Sequence, residues 1–217
     1  MIKRYMVWDM DGTLIDSMDM WNNLTDEYLE SQGIAASEYV DLGERLETLS
    51  LSEGAVLLAE RFPHLGQPSE IAGQINDLLA HHYREHLPLK PGVEEALNIL
   101  SVQKVHMCVA SATPQSLIQS CLARLGVLHY FDFILSCESL NTSKREPRIY
   151  WEAAHRWEVN PGEVAVCEDA YHALETAQAA GFYTVAVFDK ASSHQWQACV
   201  NLADECITDM RSAFAMT

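Results

Sequence analysis

Two aspartates separated by a single residue are the part of this 217-residue sequence most suggestive of chemistry. Asp9 and Asp11 follow a short apolar run and precede Gly12. Side chains two residues apart on an extended chain point the same way, so the two carboxylates can address one site. Gly12 allows the backbone to turn sharply without a clash from a Cβ atom. The alternative is a simple hairpin turn at Asp11-Gly12, with Asp9 in solvent.

A group of hydroxyl residues follows a later apolar run. Ser111, Ala112 and Thr113 come directly before Pro114, at a predicted helix start where Thr113 would be the N-cap. A hydroxyl and free backbone N–H groups in such a position can cradle a phosphate. A plain helix cap is equally compatible with the sequence.

Charged residues occupy the corresponding positions after two further apolar runs. Lys144 lies in a loop before a predicted helix, and Glu168-Asp169 comes directly after residues 164–167. A loop lysine is usually solvated, and acidic residues commonly stabilise helix N-termini. Each feature is ordinary by itself, but four of them at the ends of predicted strands favour one shared site.

The elements that would position these residues alternate between strands and helices. Apolar runs at 4–8, 105–110, 133–136, 164–167 and 183–188 predict short strands, with capped helical patterns between the later ones. This alternation predicts an α/β fold with a doubly wound parallel sheet. In such a sheet, ligands bind beyond the carboxyl ends of the strands.

Residues 18–88 interrupt the alternation because they contain no convincing strand. Three amphipathic segments, 20–32, 53–62 and 69–86, predict an α-helical insertion after the first strand. An insertion on that loop would form a cap over the site. The expected division is a catalytic core of residues 1–16 and 89–217 and a helical cap domain of residues 17–88.

Composition restricts the class of partner. The net charge of −17 argues against nucleic acid, because phosphate contacts need clustered Lys and Arg. No apolar run is long enough to span a bilayer, and no signal peptide is recognisable at the N-terminus. We therefore expect a cytoplasmic protein without a membrane partner. We also expect a monomer or weak dimer. The six cysteines have no CxxC pair and are expected to be core residues.

The four motifs together resemble those of the haloacid dehalogenase superfamily, in the branch with a helical cap that includes β-phosphoglucomutase and phosphoglycolate phosphatase. The stretch Asp9-Met10-Asp11-Gly12-Thr13 matches the first motif without departure, and Ser111 matches the hydroxyl motif. The resemblance covers essentially the whole chain. The lysine motif is matched by Lys144-Arg145-Glu146-Pro147-Arg148-Ile149-Tyr150 and the acidic motif by Glu168-Asp169.

The resemblance implies phosphoryl transfer through an aspartyl-phosphate, with Mg²⁺ as cofactor and a small phosphorylated metabolite as substrate. Asp9 would be the nucleophile and Asp11 the acid–base residue, while Ser111 and Lys144 would bind the phosphoryl group. The implied metal ligands are Asp9, Asp11 through its backbone carbonyl, Glu168 and Asp169. The implied substrate-binding residues are Gly12, Thr13, Ala112, Thr113, Trp21 and Arg45.

The superfamily supports other reactions, and the sequence bears on each. Asp11 argues against a dehalogenase, and the absence of lysine between Lys3 and Lys90 argues against a phosphonatase. Trp21 stands where mutases of the β-phosphoglucomutase type have a histidine, which favours a phosphatase over a phosphomutase. A non-catalytic protein that binds phosphorylated ligands is the remaining alternative, although all the charged motif positions are retained.

Two features of the predicted cap leave further alternatives open. Arg45 would suit an anionic leaving group, whereas a neutral leaving group would be recognised by Trp21 and its neighbours. The histidines at 81, 82 and 86 are a rival candidate for a metal site, but we expect neither a carboxylate partner nor a third ligand for them at suitable spacing.

Overall fold

Six parallel strands form one sheet in the computed structural model, which describes residues 3–42, 46 and 49–214. Their order across the sheet places the first strand at the centre, between the second and the fourth. The strands are β1 (Tyr5–Trp8), β2 (His106–Ser111), β3 (Phe133–Ser136), β4 (Val164–Glu168), β5 (Tyr183–Val187) and β6 (Glu205–Ile207), in the order β3-β2-β1-β4-β5-β6.

This sheet confirms the predicted α/β fold. Strands β1 to β5 match the predicted apolar runs to within one residue at either end. Residues of β4 are buried along its whole length, as expected for a central parallel strand covered on both faces. The sequence does not predict β6, because three residues with an exposed Cys206 carry no readable alternation.

The order of the strands locates the candidate site before any side chain is considered. The chain runs outward from β1 through β2 to β3, then continues on the opposite side through β4 to β6. A doubly wound sheet of this kind has its topological switch point between β1 and β4, and ligands bind at the carboxyl ends of the strands there.

Helices follow most of the strands. The predicted amphipathic segments in residues 18–88 are all helical, with bounds shifted by one or two residues from the predicted ones. The helices are α1 (Met18–Ser31), α2 (Leu51–Arg61), α3 (Pro68–Glu85), α4 (Val93–Val102), α5 (Gln115–Arg124), α6 (Cys137–Leu140), α7 (Arg148–Arg156), α8 (Tyr171–Ala179), α9 (Trp196–Leu202) and α10 (Met210–Ala213).

The chain divides into two compact units. One comprises Met1–Met18 with Leu87–Thr217 and contains the sheet, and the other comprises Asp19–His86. In the second unit, α3 buries Ile71, Ile75, Leu79 and Tyr83 at four-residue spacing, which places them along one helix face.

Cysteine burial in the sheet-containing unit differs from the prediction at one position. Five of the six thiols are free and buried, as expected for core residues, whereas Cys206 is exposed on the edge strand. The prediction is therefore wrong for Cys206. Within the described ranges, no helix combines the length and apolar character needed to cross a membrane.

Candidate active site

The candidate site lies at the carboxyl ends of β1 and β4, where the strand order reverses. Trp8 is paired with Cys167, and the Asp9 backbone N–H donates to the Cys167 carbonyl at 3.0 Å. This pairing places Asp9 beside the end of β4. One carboxylate oxygen from each of Asp9, Glu168 and Asp169 lies within 4.8 Å of the others, and all three residues are buried. The sheet topology therefore joins the first and the acidic motifs.

Lys144 contributes a buried cation to these acids. Its Nζ contacts Asp9 Oδ1 and Glu168 Oε1, and its side chain is only 10% exposed. The Tyr150 hydroxyl, on the buried face of α7, donates to Glu168 Oε1 at 3.4 Å. The lysine is therefore not a solvated loop residue, and its single ammonium faces two carboxylates.

The carboxylate of Asp11 accepts hydrogen bonds from two hydroxyl groups. Ser17 Oγ donates to Asp11 Oδ1 at 2.8 Å, and Thr113 Oγ1 donates to Asp11 Oδ2 at 2.7 Å. The predicted N-cap role of Thr113 is wrong, because α5 begins at Gln115 with Pro114 as its N-cap. The Thr113 hydroxyl instead links the hydroxyl motif to the first motif.

Ser111 lies at the end of β2, the other neighbour of β1. It is buried, and its Oγ accepts a hydrogen bond from the Thr113 backbone N–H at 3.0 Å. Ser136, at the end of β3, donates to the Thr113 carbonyl at 2.9 Å. Ala112, between Ser111 and Thr113 in the sequence, is exposed. The loop that carries the predicted phosphate-binding residues is thus fixed at the same edge of the sheet as Asp9.

Gly12 and Thr13 contact the acidic motif directly. Gly12 has a φ of 78°, in the left-handed region that favours glycine. A Cβ atom at this position would lie 2.6 Å from Asp169 Oδ2. The Thr13 hydroxyl donates to Asp169 Oδ1 at 3.4 Å. The backbone of the first motif therefore packs against a carboxylate of the last motif.

Ser192 and Lys90 belong to none of the sequence motifs, and they also reach this site. Ser192 Oγ donates to Asp169 Oδ2 at 3.0 Å. Lys90 Nζ donates to the Gly12 carbonyl at 2.5 Å and to Asp189 Oδ2 at 2.8 Å. A serine or lysine in a polar connector carries no periodicity or motif signal, so nothing in the sequence could have identified these contacts.

The carboxylates of the site are crowded enough to perturb their own ionisation. Burial, with the neighbouring Glu168 carboxylate, raises the pKa of Asp9 well above its usual range. The same two causes raise the pKa of Asp169 to about 7. Burial lowers the pKa of Lys144, but the carboxylates of Asp9 and Glu168 outweigh burial and raise it well above its usual range. The two carboxylates therefore favour the charged form of Lys144.

The balance of charge at the site indicates what the acids could hold. Three buried carboxyl groups lie close together, and the one ammonium contacts two of them, so ionising all three places an excess of negative charge where there is little water. Hard divalent cations such as Mg²⁺ take oxygen ligands of this type, so Asp9, Glu168 and Asp169 fit the predicted Mg²⁺. The carboxylate of Asp11 does not belong to this group, and the implied ligand role of its backbone carbonyl stays a prediction.

The predicted substrate-binding residues of the inserted segment lie in the second unit or outside the described residues. Trp21 is 38% exposed, and its Nε1 donates to the Tyr83 hydroxyl at 3.2 Å. Arg45 falls among the residues that the structure does not describe, so its role stays a prediction.

The histidine cluster differs from its prediction. His82 Nε2 lies 2.7 Å from Glu27 Oε2, so a carboxylate partner is present after all. His81 and His86 lie against each other, with their Nε2 atoms 3.1 Å apart. Nevertheless, among the described residues only Asp9, Glu168 and Asp169 bring three metal-ligating atoms close enough to share an ion.

The chain is similar in sequence to known proteins. Residues 6–187 match the family model for haloacid dehalogenase-like hydrolases. Phosphorylated carbohydrates phosphatase of Thermotoga maritima is 28% identical over 176 residues, covering 81% of each chain. Hexitol phosphatase B of Escherichia coli K12 is 29% identical over 183 residues, covering 83% of this chain and 82% of its own.

A solved structure supports the fold independently. The crystal structure of a candidate β-phosphoglucomutase from Thermotoga maritima superposes with a TM-score of 0.79 at 24% identity, and the match covers 97% of this chain and 96% of that one. The family model covers most of β1, which precedes Asp9, and all of β4, which ends at Glu168. The protein therefore belongs to the family of haloacid dehalogenase-like hydrolases.

Proposed function

We propose that the protein is a Mg²⁺-dependent phosphatase that hydrolyses a small phosphate monoester through an aspartyl-phosphate on Asp9. The observation that carries this proposal is the buried contact of Asp9 with Lys144, beside Glu168 and Asp169. A carboxylate that attacks a phosphate ester meets like-charge repulsion, which nearby positive charge must offset. At ~4 Å, opposite unit charges attract by roughly 4 kcal/mol at an effective dielectric constant near 20.

The metal would be held by Asp9, Glu168 and Asp169, with the Asp11 carbonyl as the further implied ligand. When bound, Mg²⁺ would neutralise charge on the phosphoryl oxygens and keep the buried carboxylates ionised. Lys144 adds a second positive charge from the protein itself. Ser111 and the Ala112 backbone N–H would donate hydrogen bonds to the same phosphoryl group.

The chemistry then proceeds in two steps on the side chain of Asp9. A carboxylate oxygen of Asp9 attacks phosphorus, and the bond from phosphorus to the leaving oxygen breaks. Water next attacks phosphorus, and the bond between phosphorus and the Asp9 oxygen breaks, which releases inorganic phosphate and regenerates the carboxylate. Asp9 therefore serves as the nucleophile in the first step and as the leaving group in the second.

Asp11 supplies and recovers the proton that these steps require. In the first step it protonates the leaving oxygen, and in the second it takes a proton from the attacking water. Its two oxygens accept hydrogen bonds from Ser17 and Thr113, which would hold the carboxylate in one orientation between these steps. The hydroxyl of Thr113 thus supports the acid–base residue rather than capping a helix.

The names of the relatives favour a phosphorylated carbohydrate as the first substrate to examine. The relatives at 28% and 29% identity are named for phosphorylated carbohydrates and hexitols, and others at 25% identity for phosphoglycolate. We also propose that discrimination among these esters resides in the helical unit, residues 19–86, which would act as the cap. Trp21 and Arg45 are its candidate contacts with the leaving group.

The proposal is tested by screening phosphate monoesters with purified protein, with and without Mg²⁺. We expect release of inorganic phosphate from at least one sugar or hexitol phosphate, only when Mg²⁺ is present. Formation of an isomeric sugar phosphate without phosphate release would indicate a phosphomutase. No turnover of any ester, nitrophenyl phosphate included, would favour the alternative of a non-catalytic protein that binds phosphorylated ligands.

A further inference from the structure

Lys90 is a nearly buried cation that no motif accounts for. It lies where the chain re-enters the sheet-containing unit, before α4, and its side chain is 14% exposed. Its Nζ donates to the Gly12 carbonyl at 2.5 Å, to the Phe188 carbonyl at 2.7 Å and to Asp189 Oδ2 at 2.8 Å. A lysine ammonium has three N–H donors, so every donor of Lys90 is used. Lys90 therefore ties together the loops that follow β1 and β5.

The first of these loops touches Asp169 through Gly12. The Gly12 Cα packs so closely that an added Cβ would lie 2.6 Å from Asp169 Oδ2. The Gly12 backbone N–H donates to the Ile15 carbonyl at 3.1 Å, while its carbonyl accepts from Lys90. The peptide groups on both sides of the Gly12 Cα are thus held, and the surface that they present to Asp169 is fixed.

The second loop touches Asp169 through Ser192. Asp189 is 6% exposed; its Oδ2 accepts from Lys90, and its Oδ1 accepts from the Ala191 backbone N–H at 2.8 Å. That hydrogen bond turns the chain toward Ser192, whose hydroxyl donates to Asp169 Oδ2 at 3.0 Å. The two loops that Lys90 joins therefore both lie against Oδ2 of Asp169.

We propose that Lys90 is a positioning residue that holds the Asp169 carboxylate in the orientation required for metal binding. The inference rests on the proposed Mg²⁺-dependent function. Lys90 does not touch Asp169 itself, and it acts through Gly12 on one side and through Asp189 and Ser192 on the other. Its charge also offsets that of Asp189, which would otherwise be a buried unpaired carboxylate close to the acids of the site.

The size of the effect follows from what is left behind when the ammonium is removed. Two backbone carbonyls would lose their donor, and the buried Asp189 carboxylate would lose its counter-charge and keep only the Ala191 N–H as a donor. The two loops that flank Asp169 would no longer be joined through Lys90. Partners that orient a metal ligand typically affect metal affinity by about 10- to 100-fold when they are removed. We expect a change of that size for Lys90.

The test compares Lys90→Met with Lys3→Met. Methionine keeps an unbranched apolar stem but has no donor or charge. Lys3 is a matched control, because its Nζ also donates to a backbone carbonyl, that of Gly162 at 3.0 Å, but it lies ahead of β1 and away from the acids. The measurement is the Mg²⁺ concentration that gives half of the maximal increase in Tm, without substrate. We expect it to rise about 10- to 100-fold in Lys90→Met and to stay at the wild-type value in Lys3→Met.

A milder variant keeps the test decisive if Lys90→Met does not fold. Ser192→Ala removes only one hydroxyl and should also raise the half-saturating Mg²⁺ concentration. If both variants fold, the double variant should raise the half-saturating Mg²⁺ concentration by less than the product of the two single fold-changes, because both substitutions act through Asp169. Lys90→Arg, which retains the charge, should recover part of the Mg²⁺ affinity.

The two proposals can fail separately. An unchanged Mg²⁺ requirement in folded Lys90→Met overturns the role of Lys90, whatever ester the wild-type protein hydrolyses. If Lys90→Met does not fold, an unchanged requirement in Ser192→Ala overturns it. Equal increases of the half-saturating Mg²⁺ concentration in Lys90→Met and Lys3→Met would overturn it as well. The effect would then come from removing any lysine ammonium and not from the contacts of Lys90. A wild-type protein that binds Mg²⁺ but hydrolyses no phosphate ester would instead overturn the proposed function, and the Mg²⁺ titration would still decide on Lys90.

Discussion

Replacing Gly12 by alanine should move a candidate metal ligand without touching it chemically. The added Cβ would lie 2.6 Å from Asp169 Oδ2 and 2.9 Å from its Cγ. The Oδ2 distance is about 0.8 Å shorter than ordinary van der Waals contact between such atoms allows. Because hydrogen bonds hold the backbone on both sides of Gly12, the carboxylate must give way rather than the loop.

The backbone cost of the substitution can be separated from its effect on Asp169. Gly12 has a φ of 78°, and Gly126 has a φ of 77° with nothing within 4 Å of an added Cβ. An alanine in this left-handed region costs about 1–2 kcal/mol at either position. Gly126→Ala therefore reproduces the strain of Gly12→Ala without the collision, and it is the matched control.

The assay is hydrolysis of nitrophenyl phosphate as a function of Mg²⁺ concentration, at a temperature well below the Tm of every variant. Displacement of Asp169 should raise the half-saturating Mg²⁺ concentration about 10- to 100-fold in Gly12→Ala. Gly126→Ala should lose a similar amount of stability and keep the wild-type Mg²⁺ requirement. If the two variants shared one Mg²⁺ requirement, the close packing of Gly12 on Asp169 would have no part in metal binding.

Three further predictions concern pH, the leaving group and the metal. The pKa of Asp169 is raised from an ordinary value near 3.8 to about 7 in the folded protein. The contribution of Asp169 to the free energy of unfolding without metal should therefore decline as the pH rises between these two values. Mg²⁺ binds the ionised carboxylate, so the gain in Tm on adding Mg²⁺ should be small at a pH near 5.5 and larger near 8; a pH-independent gain would contradict this reasoning. Asp11→Asn should slow hydrolysis of sugar phosphates far more than that of nitrophenyl phosphate, whose leaving group needs little protonation, and equal losses in kcat would remove Asp11 from the acid–base role. EDTA should abolish turnover and Mg²⁺ should restore it, whereas the larger and more loosely coordinated Ca²⁺ should inhibit by engaging both oxygens of Asp9; turnover indifferent to chelator would require a metal-independent reaction.

The strands and the placement of the motifs could be predicted because they depend on local pattern. A buried parallel strand is a short apolar run, and parallel strands bring their carboxyl ends to one edge of the sheet. Asp9, Ser111 and Glu168 each follow or end such a run. Their proximity is therefore a consequence of strand order, which the rules for connecting parallel strands restrict to a few possibilities.

The remaining contacts depend on loops that are distant in sequence. Lys90 reaches Asp189 across 99 positions, and Thr113 reaches Asp11 across 102. No periodicity encodes such a pairing, and locally Thr113 fits a helix cap as well as it fits a partner for an acid. Edge strand β6 is missed for a related reason, since its three residues depend on pairing with β5 and not on their own pattern.

The central claim is that Asp9 carries the phosphoryl group during turnover. The most direct measurement is rapid acid quenching of the protein during hydrolysis of a substrate, followed by peptide mass spectrometry of the segment that contains Asp9. Phosphate should be found on Asp9 in the wild-type protein, and Asp9→Asn should show neither the modification nor measurable turnover, because the amide cannot replace the attacking carboxylate. Phosphate on another residue, or an Asp9→Asn protein that keeps about a tenth of wild-type turnover, would contradict the mechanism.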